Sequence, residues 1–147
     1  MAKEKKKQSL PTIRRRIFKL VSLICRERAG YACEVCGMKK GDLHNGKPQR
    51  VEAHHLFSRS IKDSPLKFDM MDLICVCTLH HKTGRYSAHK NPIWFAEWLK
   101  KHKPEQYQYI LDHCDDTVNL DDRAVLEEIE LKLIEYRKTI TIPVVNN

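Results

Sequence analysis

The segment Val51-Glu-Ala-His-His-Leu-Phe57 fits a short strand and places two histidines, His54 and His55, side by side. A Cys-x-x-Cys pair precedes this segment and a Cys-x-x-His-His motif follows it. Together these motifs supply more metal ligands than one ion can use. Four of the residues suit a closed zinc site, and the remaining three histidines suit an open metal site beside a proton acceptor.

The closed site is predicted to be a structural zinc ion held by Cys33, Cys36, Cys77 and His80. Two residues separate the members of each ligand pair, which is the spacing of a zinc knuckle. The 40 residues between Cys36 and Cys77 exceed the roughly 12–20 of a simple zinc finger, and they suit two ligand pairs that clamp an inserted hairpin. The alternative is a group of reduced cysteines without metal, because free Cys often behaves as a small apolar residue.

The other three cysteines are assigned to packing. Cys25 and Cys114 fall on the apolar faces of predicted helices. Cys75 falls in a predicted strand and is expected in the core, but strand alternation puts it on the same face as Cys77. Cys75 is therefore the main rival zinc ligand.

The spacing of apolar and capping residues predicts an α+β fold, with helices around a short hairpin. Pro11-Thr12 starts a helix that ends near Gly30, and Asn91-Pro92 starts another. A second strand is predicted over residues 72–76 and a short helix over 78–85. A turn or short helix begins at Pro104, and residues 119–122 open a last helix.

The charge distribution favours a polyanionic partner. The net charge is +8, and the first 19 residues contain eight Lys or Arg and one Glu, whereas residues 112–147 contain four basic and nine acidic residues. The basic part of the chain should attract nucleic acid, the usual polyanion. A solubilising surface would explain the charge alone equally well.

The hydropathy pattern predicts a protein without a membrane partner. No apolar run approaches the roughly 20 residues that span a bilayer, and the N-terminus lacks the apolar segment of a signal peptide. We therefore expect a cytoplasmic protein, in a bacterial or phage-infected host cell, with its cysteines reduced or bound to metal.

The order of the motifs resembles the HNH endonuclease family over roughly residues 30–90. The resemblance rests on three stretches: Cys33-x-x-Cys36, Glu52-Ala-His54-His55-Leu56 and Asp72-Leu-Ile-Cys75-Val-Cys77-Thr-Leu-His80-His81. It implies a small ββα-metal core braced by structural zinc, DNA as the substrate, and Mg²⁺, Mn²⁺ or another divalent ion for catalysis. The residues after His81 are also loosely similar to phage recombination endonucleases of the NinG type.

The resemblance assigns a role to each residue of the open site. His55 matches the general base, and His54 and His81 match the ligands of the catalytic divalent ion. Asp72 takes the place of the motif's middle Asn, which in the family stabilises the loop and orients the base. An ionised Asp72 can only accept hydrogen bonds, and near an imidazole it would raise the pKa of the base. His80, in place of a fourth Cys, is a second departure from the family pattern.

The chemistry of phosphodiester cleavage supports these roles independently. It needs a water activated near neutral pH, for which imidazole has a suitable pKa, and a cation to neutralise charge on the phosphate. However, adjacent residues of a regular strand point to opposite faces. We therefore expect the strand to turn or bulge at His54-His55 so that both rings reach one phosphate.

Several basic residues around the site are predicted to bind DNA, although each charge could equally be only solvated. These residues are Arg59, Lys62, Lys82 and Arg85. His89 is either a third metal ligand or a polar residue at a helix start, and the second interpretation is preferred. Trp94 and Trp98 are expected in the core, with stacking on unpaired bases as the alternative.

These observations predict a DNA endonuclease that nicks or cuts DNA. The resemblance to the HNH family implies that the product carries a 5′-phosphate. Residues 1–12 are expected to be a disordered basic tail, 13–112 a zinc-braced HNH nuclease domain, and 113–147 an acidic C-terminal helix that packs on or extends from it. The alternative is a non-catalytic, zinc-stabilised DNA-binding module. A zinc-dependent deaminase is excluded because the chain lacks its His-x-Glu and Pro-Cys-x-x-Cys motifs.

Overall fold

The computed structural model describes residues 7–140, which form an α+β fold as predicted. The α-helices are α1 (Leu10–Arg28), α2 (Pro92–His102), α3 (Pro104–His113) and α4 (Arg123–Lys138). Strands β1 (Leu43–His44) and β2 (Lys47–Pro48) form one small antiparallel sheet. Strands β3 (Val51–His55) and β4 (Leu73–Cys77) form the second, which carries the site.

Side-chain caps set the helix starts. The Ser9 hydroxyl accepts from the Thr12 backbone N–H at the start of α1. The helix therefore begins at Leu10, one residue before the predicted start at Pro11-Thr12 and inside the stretch 1–12 that was assigned to the tail. Asn91 caps α2 with Pro92 in the first turn, and Asp122 caps α4. Residues 1–6 of the predicted tail and residues 141–147 lie outside the described part of the chain.

The hairpin of β3 and β4 is regular to its end, where His55 pairs with Leu73. The bulge expected at His54-His55 is therefore wrong, and the two rings leave opposite faces of the strand. The second strand also begins one residue later than predicted. Asp72 ends a 3-10 turn over Met70–Asp72, capped by the Asp69 carboxylate, and does not join the ladder.

Strand β4 is buried along its whole length because it serves two cores. Leu73 and Cys75 pack with the apolar faces of α1 and α4. Ile74 and Val76 pack on the other side with α2, next to the cysteine-rich turn. This two-sided burial explains the continuous apolar run Leu-Ile-Cys-Val-Cys, which shows no alternation of polar residues.

The chain leaves β4 through one turn of π-helix over Leu79–Thr83, where the sequence predicted a short helix. The turn closes with a bond from the Gly84 backbone N–H to the Leu79 carbonyl, 2.9 Å. A Cβ at Gly84 would lie 2.6 Å from that carbonyl oxygen, so only glycine fits there without a shift. The turn places His80 on one side and His81 on the other.

Within residues 7–140, no helix is both long and apolar enough to cross a membrane.

Candidate metal centres

The first candidate metal centre is built on a tight turn between Cys33 and Met38. The Cys33 carbonyl accepts from the Gly37 N–H, and the Cys33 N–H donates to the Met38 carbonyl, both at 2.8 Å. Gly37 has φ +75°, a left-handed conformation that glycine adopts without strain. The turn therefore holds the Cys33 and Cys36 thiols on one side, facing the end of β4.

The four predicted zinc ligands come together at this turn, with their ligand atoms all within 4.8 Å of one another. The Cys77 sulfur lies 3.3 Å from His80 Nδ1 and 3.9 Å from the Cys36 sulfur, and the Cys33 sulfur lies 3.8 Å from His80 Nδ1. Ligands at about 2.3 Å and 2.0 Å from a tetrahedral zinc lie roughly 3.5–3.8 Å apart. The cluster therefore has the size and the donor chemistry of a closed zinc site.

Cys75, the rival ligand, does not belong to the cluster. Its side chain is fully buried in the core between the hairpin and α1, where burial raises the pKa of the thiol to about 12. Cys25 is buried in the same core, whereas Cys114 is partly exposed after α3. A neutral thiol in an apolar setting is a packing group and a poor metal ligand.

The second candidate metal centre is formed by three histidines: His54 from β3, His81 from the π-helical turn and His89 from the loop before α2. Their ligand nitrogens all lie within 4.8 Å of one another. The ring centroids are 5.0 Å apart for His54 and His81, and 4.8 Å for His81 and His89. Because His89 belongs to this cluster, the structure favours the alternative interpretation, a third metal ligand, over the preferred one of a helix-start residue.

His89 reaches the cluster through the backbone of the loop that carries it. Its N–H donates to the His81 carbonyl at 3.1 Å, and the Ala88 N–H donates to the His80 carbonyl at 2.8 Å. The two successive bonds fold the loop back onto the π-helical turn. They bring together two histidines that are eight residues apart and share no regular element.

Glu52 fixes the orientation of His81. Its carboxylate accepts a hydrogen bond from His81 Nδ1, which leaves Nε2 of that ring free as a metal ligand. Burial raises the pKa of Glu52, but the bonds from His81 and Lys82 outweigh it and lower that pKa overall. Glu52 is therefore an anion at neutral pH, as a partner of a metal-binding histidine should be.

Two rings of the cluster, His54 and His81, are neutral at physiological pH, the form that binds a metal. Burial, followed by the neighbouring histidines, lowers the pKa of His54 to about 3. Burial also lowers the pKa of His81, against the opposing effect of Glu52. An uncharged imidazole offers the lone pair that a cation needs.

His55 lies beside this cluster but is not part of it. Its Nε2 lies 3.1 Å from the Lys67 carbonyl, and its ring packs on Phe18 with centroids 6.1 Å apart. A carbonyl only accepts, so Nε2 carries the proton and Nδ1 is left as an acceptor. Burial lowers the pKa of His55, so the ring is neutral at pH 7. It can therefore accept a proton.

Asp72 holds the backbone that follows His55. Its carbonyl accepts from the Leu56 N–H at 2.7 Å, and its carboxyl Oδ1 accepts from the Phe57 N–H at 2.6 Å. The side chain is fully buried, and burial raises its pKa to about 8. The expectation of an ionised Asp72 that raises the pKa of the base is therefore wrong. The acid is neutral at pH 7, no bond joins it to His55 in the described structure, and the pKa of His55 is lowered.

Both histidines of the pair line one cleft of about 510 Å³, together with His81 and His89. No bulge is needed, because His55 is the last paired residue of a sheet of only two strands. At the end of so narrow a sheet, side chains from opposite faces can border the same cleft. Of the predicted DNA-binding residues, Arg59 and Lys82 line this cleft. Lys62 instead lines a separate cavity, where its Nζ lies 3.3 Å from the Asp121 carboxylate. Arg85 is exposed and lines neither the cleft nor that cavity.

Sequence reasoning missed the role of Glu52 and preferred another role for His89. Glu52 stands two residues before His54, so strand alternation puts both side chains on one face. This pattern could have identified Glu52 as a carboxylate partner of the metal-binding histidines. His89 gave no such signal, because a loop without periodicity joins it to His81.

No protein-family model, curated protein or solved structure matches this chain.

Proposed function

We propose that this protein is a zinc-braced, metal-dependent DNA endonuclease of the HNH type. The observation that carries the proposal is the division of ligands into two adjacent groups. One group of four is closed and rich in thiols, and one group of three histidines opens into a basic cleft beside a fourth, neutral histidine. The first group suits a structural ion and the second suits a catalytic one.

The Cys₃His cluster would hold zinc and brace the hairpin. It ties the turn at Cys33 and Cys36 to the end of β4, from which the second ligand pair leaves. Metal binding at such a site contributes directly to the free energy of folding. The zinc would therefore fix the π-helical turn that presents His81 to the cleft.

His54, His81 and His89 would hold the catalytic divalent ion. When bound, such an ion neutralises charge on the phosphate and on the leaving oxygen. Three imidazoles suit a transition metal better than Mg²⁺, which prefers oxygen ligands. Among divalent ions we therefore expect Ni²⁺, Co²⁺ or Zn²⁺ to occupy the cluster more tightly than Mn²⁺ or Mg²⁺.

His55 would act as the general base. The Lys67 carbonyl fixes its tautomer, so Nδ1 presents a lone pair that takes the proton from an attacking water. Arg59 and Lys82 line the cleft and would position the phosphate. The Arg59 guanidinium carbon lies 5.9 Å from the ring centroid of Phe18, in the neighbouring groove.

Asp72 would serve the function of the middle Asn of the HNH motif. A protonated carboxyl has the shape of a carboxamide and, like it, combines an accepting oxygen with a donor group. Asp72 uses its accepting oxygen to hold the loop after the base. Its second oxygen, Oδ2, is buried and has no partner among the described residues, which is consistent with the protonated form.

A plasmid cleavage assay with added divalent ions tests the proposal. The wild-type protein should nick supercoiled DNA, and His55→Ala should slow cleavage by roughly 10²–10⁴-fold, the usual contribution of a general base. His113→Ala is the matched control, because His113 is partly exposed and pairs with Asp116 outside the cleft. Its activity should equal that of the wild type. DNA binding without cleavage under any divalent ion would instead identify a zinc-stabilised DNA-binding module.

A further inference from the structure

Helix α1 carries a stripe of basic side chains on its exposed surface. The stripe consists of Arg15, Lys19 and Arg26, with Ser22 between the last two. The four residues are spaced four, three and four positions apart, which places them on one face of the helix. From Arg15 to Arg26 the stripe extends about 16 Å along the axis, at 1.5 Å per residue. Arg15 and Lys19 are exposed, and Arg26 is half-buried.

These cations differ from their neighbours on the same helix in having no counter-ion among residues 7–140. Arg16 forms a two-bond ion pair with Glu130 of α4, at 2.6 and 2.9 Å, and Arg14 binds Asp121. By contrast, Arg15 and Lys19 make no hydrogen bond or ion pair with any other residue in the described range 7–140. The two paired arginines hold the C-terminal part of the chain on α1, and the unpaired ones remain for an external anion.

The stripe leads into the candidate active site. It lines a groove of about 510 Å³ that shares Ser22, Arg26, Ala53, His55 and Arg59 with the histidine cleft. His55, the proposed base, therefore lies where groove and cleft meet.

The charge along this surface is mainly positive. Five cationic side chains line the combined groove and cleft: Arg15, Lys19, Arg26, Arg59 and Lys82. Among the described residues that line this surface, Glu52 is the single carboxylate, and it binds His81 and Lys82. Of these five cations, Lys82 alone pairs with a carboxylate among the described residues. A continuous cationic surface that ends at the proposed cleavage site fits the backbone of a nucleic acid strand.

We propose that the α1 stripe is a track for the phosphate backbone of duplex DNA whose scissile phosphate lies at His55. The inference rests on the proposed endonuclease function and adds where the substrate lies. At 3.4 Å per nucleotide of a strand, 16 Å corresponds to about five base pairs to one side of the cut. The track binds phosphates and carries no sequence preference of its own.

Salt-dependent DNA binding tests the track without any cleavage. The double variant Arg15→Ala/Lys19→Ala is compared with Lys132→Ala/Lys138→Ala, which removes the same charge from exposed positions of α4. Affinity for a labelled 20-base-pair duplex is measured by fluorescence anisotropy, with no divalent ion added, between 50 and 200 mM salt.

The track variant should flatten the log–log salt dependence by about 2, since each lost phosphate contact removes about 0.9 from the slope. The ratio of wild-type affinity to track-variant affinity should therefore fall roughly tenfold as the salt concentration rises from 50 to 200 mM. The α4 variant should keep the wild-type slope. Equal slopes for the wild type and the track variant, or equal losses in the two variants, would overturn the proposal.

Cleavage of shortened duplexes tests the position of the track. Wild-type cleavage should fall when the DNA on one side of the cut is trimmed below about five base pairs, and the Arg15→Ala/Lys19→Ala variant should lose this length dependence. An unchanged length dependence in the variant would refute the track. If no DNA is cut at all, the endonuclease function fails, and the binding measurement still decides whether the track exists.

Discussion

Replacement of Asp72 by Asn should stabilise the protein at neutral pH, because Asp72 is fully buried and its pKa is raised from 3.8 to about 8. At pH 7 the carboxyl is protonated in the folded protein and ionised in the unfolded chain. Folding therefore takes up a proton, at a cost of about 1.36 kcal/mol for each pH unit above the unfolded pKa. Over about three units, the cost at pH 7 is about 4 kcal/mol.

The sign of the pH dependence follows from the same comparison. A carboxyl whose folded pKa is raised contributes a loss of stability that begins near the unfolded pKa, grows as the pH rises, and levels off above the folded pKa. The asparagine side chain of the variant would not titrate and would keep an oxygen that accepts from the Phe57 N–H. The advantage of Asp72→Asn over the wild type should therefore grow by about 3 kcal/mol between pH 5 and pH 7.

Urea unfolding followed by circular dichroism at pH 5, 6, 7 and 8 measures this difference. Both proteins keep the same zinc ligands, so the titration of the zinc site cancels. Asp72→Ala is the companion variant. It should be less stable than Asp72→Asn by about 1–3 kcal/mol at each pH, because the part-buried Phe57 N–H loses its acceptor. A difference between wild type and Asp72→Asn that does not change from pH 5 to pH 8 would refute the neutral, buried carboxyl.

Three further variants test the two metal centres. Cys36→Ser should release zinc, measured by elemental analysis, and lower the melting temperature, measured by calorimetry. A variant that retains one zinc ion per chain would contradict the Cys₃His site. Glu52→Gln should weaken Ni²⁺ binding at the histidine cluster by roughly 10–100-fold in calorimetry while the zinc content stays unchanged. His89→Ala should weaken the same binding at least as much, and a wild-type affinity would show that two histidines suffice.

The sequence predicted the features that depend on local chemistry. The Asn91 cap and Pro92 place the start of α2 within the chain, and the structure has the helix there. The Cys-x-x-Cys and Cys-x-x-His pairs predict ligands that meet, and their atoms do lie within 4.8 Å of one another. Both patterns act over a few residues, so they depend little on the rest of the fold.

The features that the sequence did not predict depend on tertiary packing. The ionisation of Asp72 is set by complete burial between the hairpin and the loop, which no local pattern encodes. His89 joins the cluster through backbone hydrogen bonds between its own loop and the π-helical turn. Lys62 and Arg59 are three residues apart in one segment, yet one faces Asp121 and the other the cleft, because the path of a long loop has no periodicity.

A parallel titration of ion binding and DNA cleavage tests most directly whether the histidine cluster is the site of a metal-dependent endonuclease. Zinc-loaded protein is titrated with Ni²⁺ or Mn²⁺, with binding followed by calorimetry and plasmid nicking measured at the same ion concentrations. The two curves should share one midpoint, and His89→Ala should move both to higher concentration by the same factor. Cleavage that proceeds at full rate before the cluster is filled, or a filled cluster that cuts no DNA with any of these ions, would contradict the proposal.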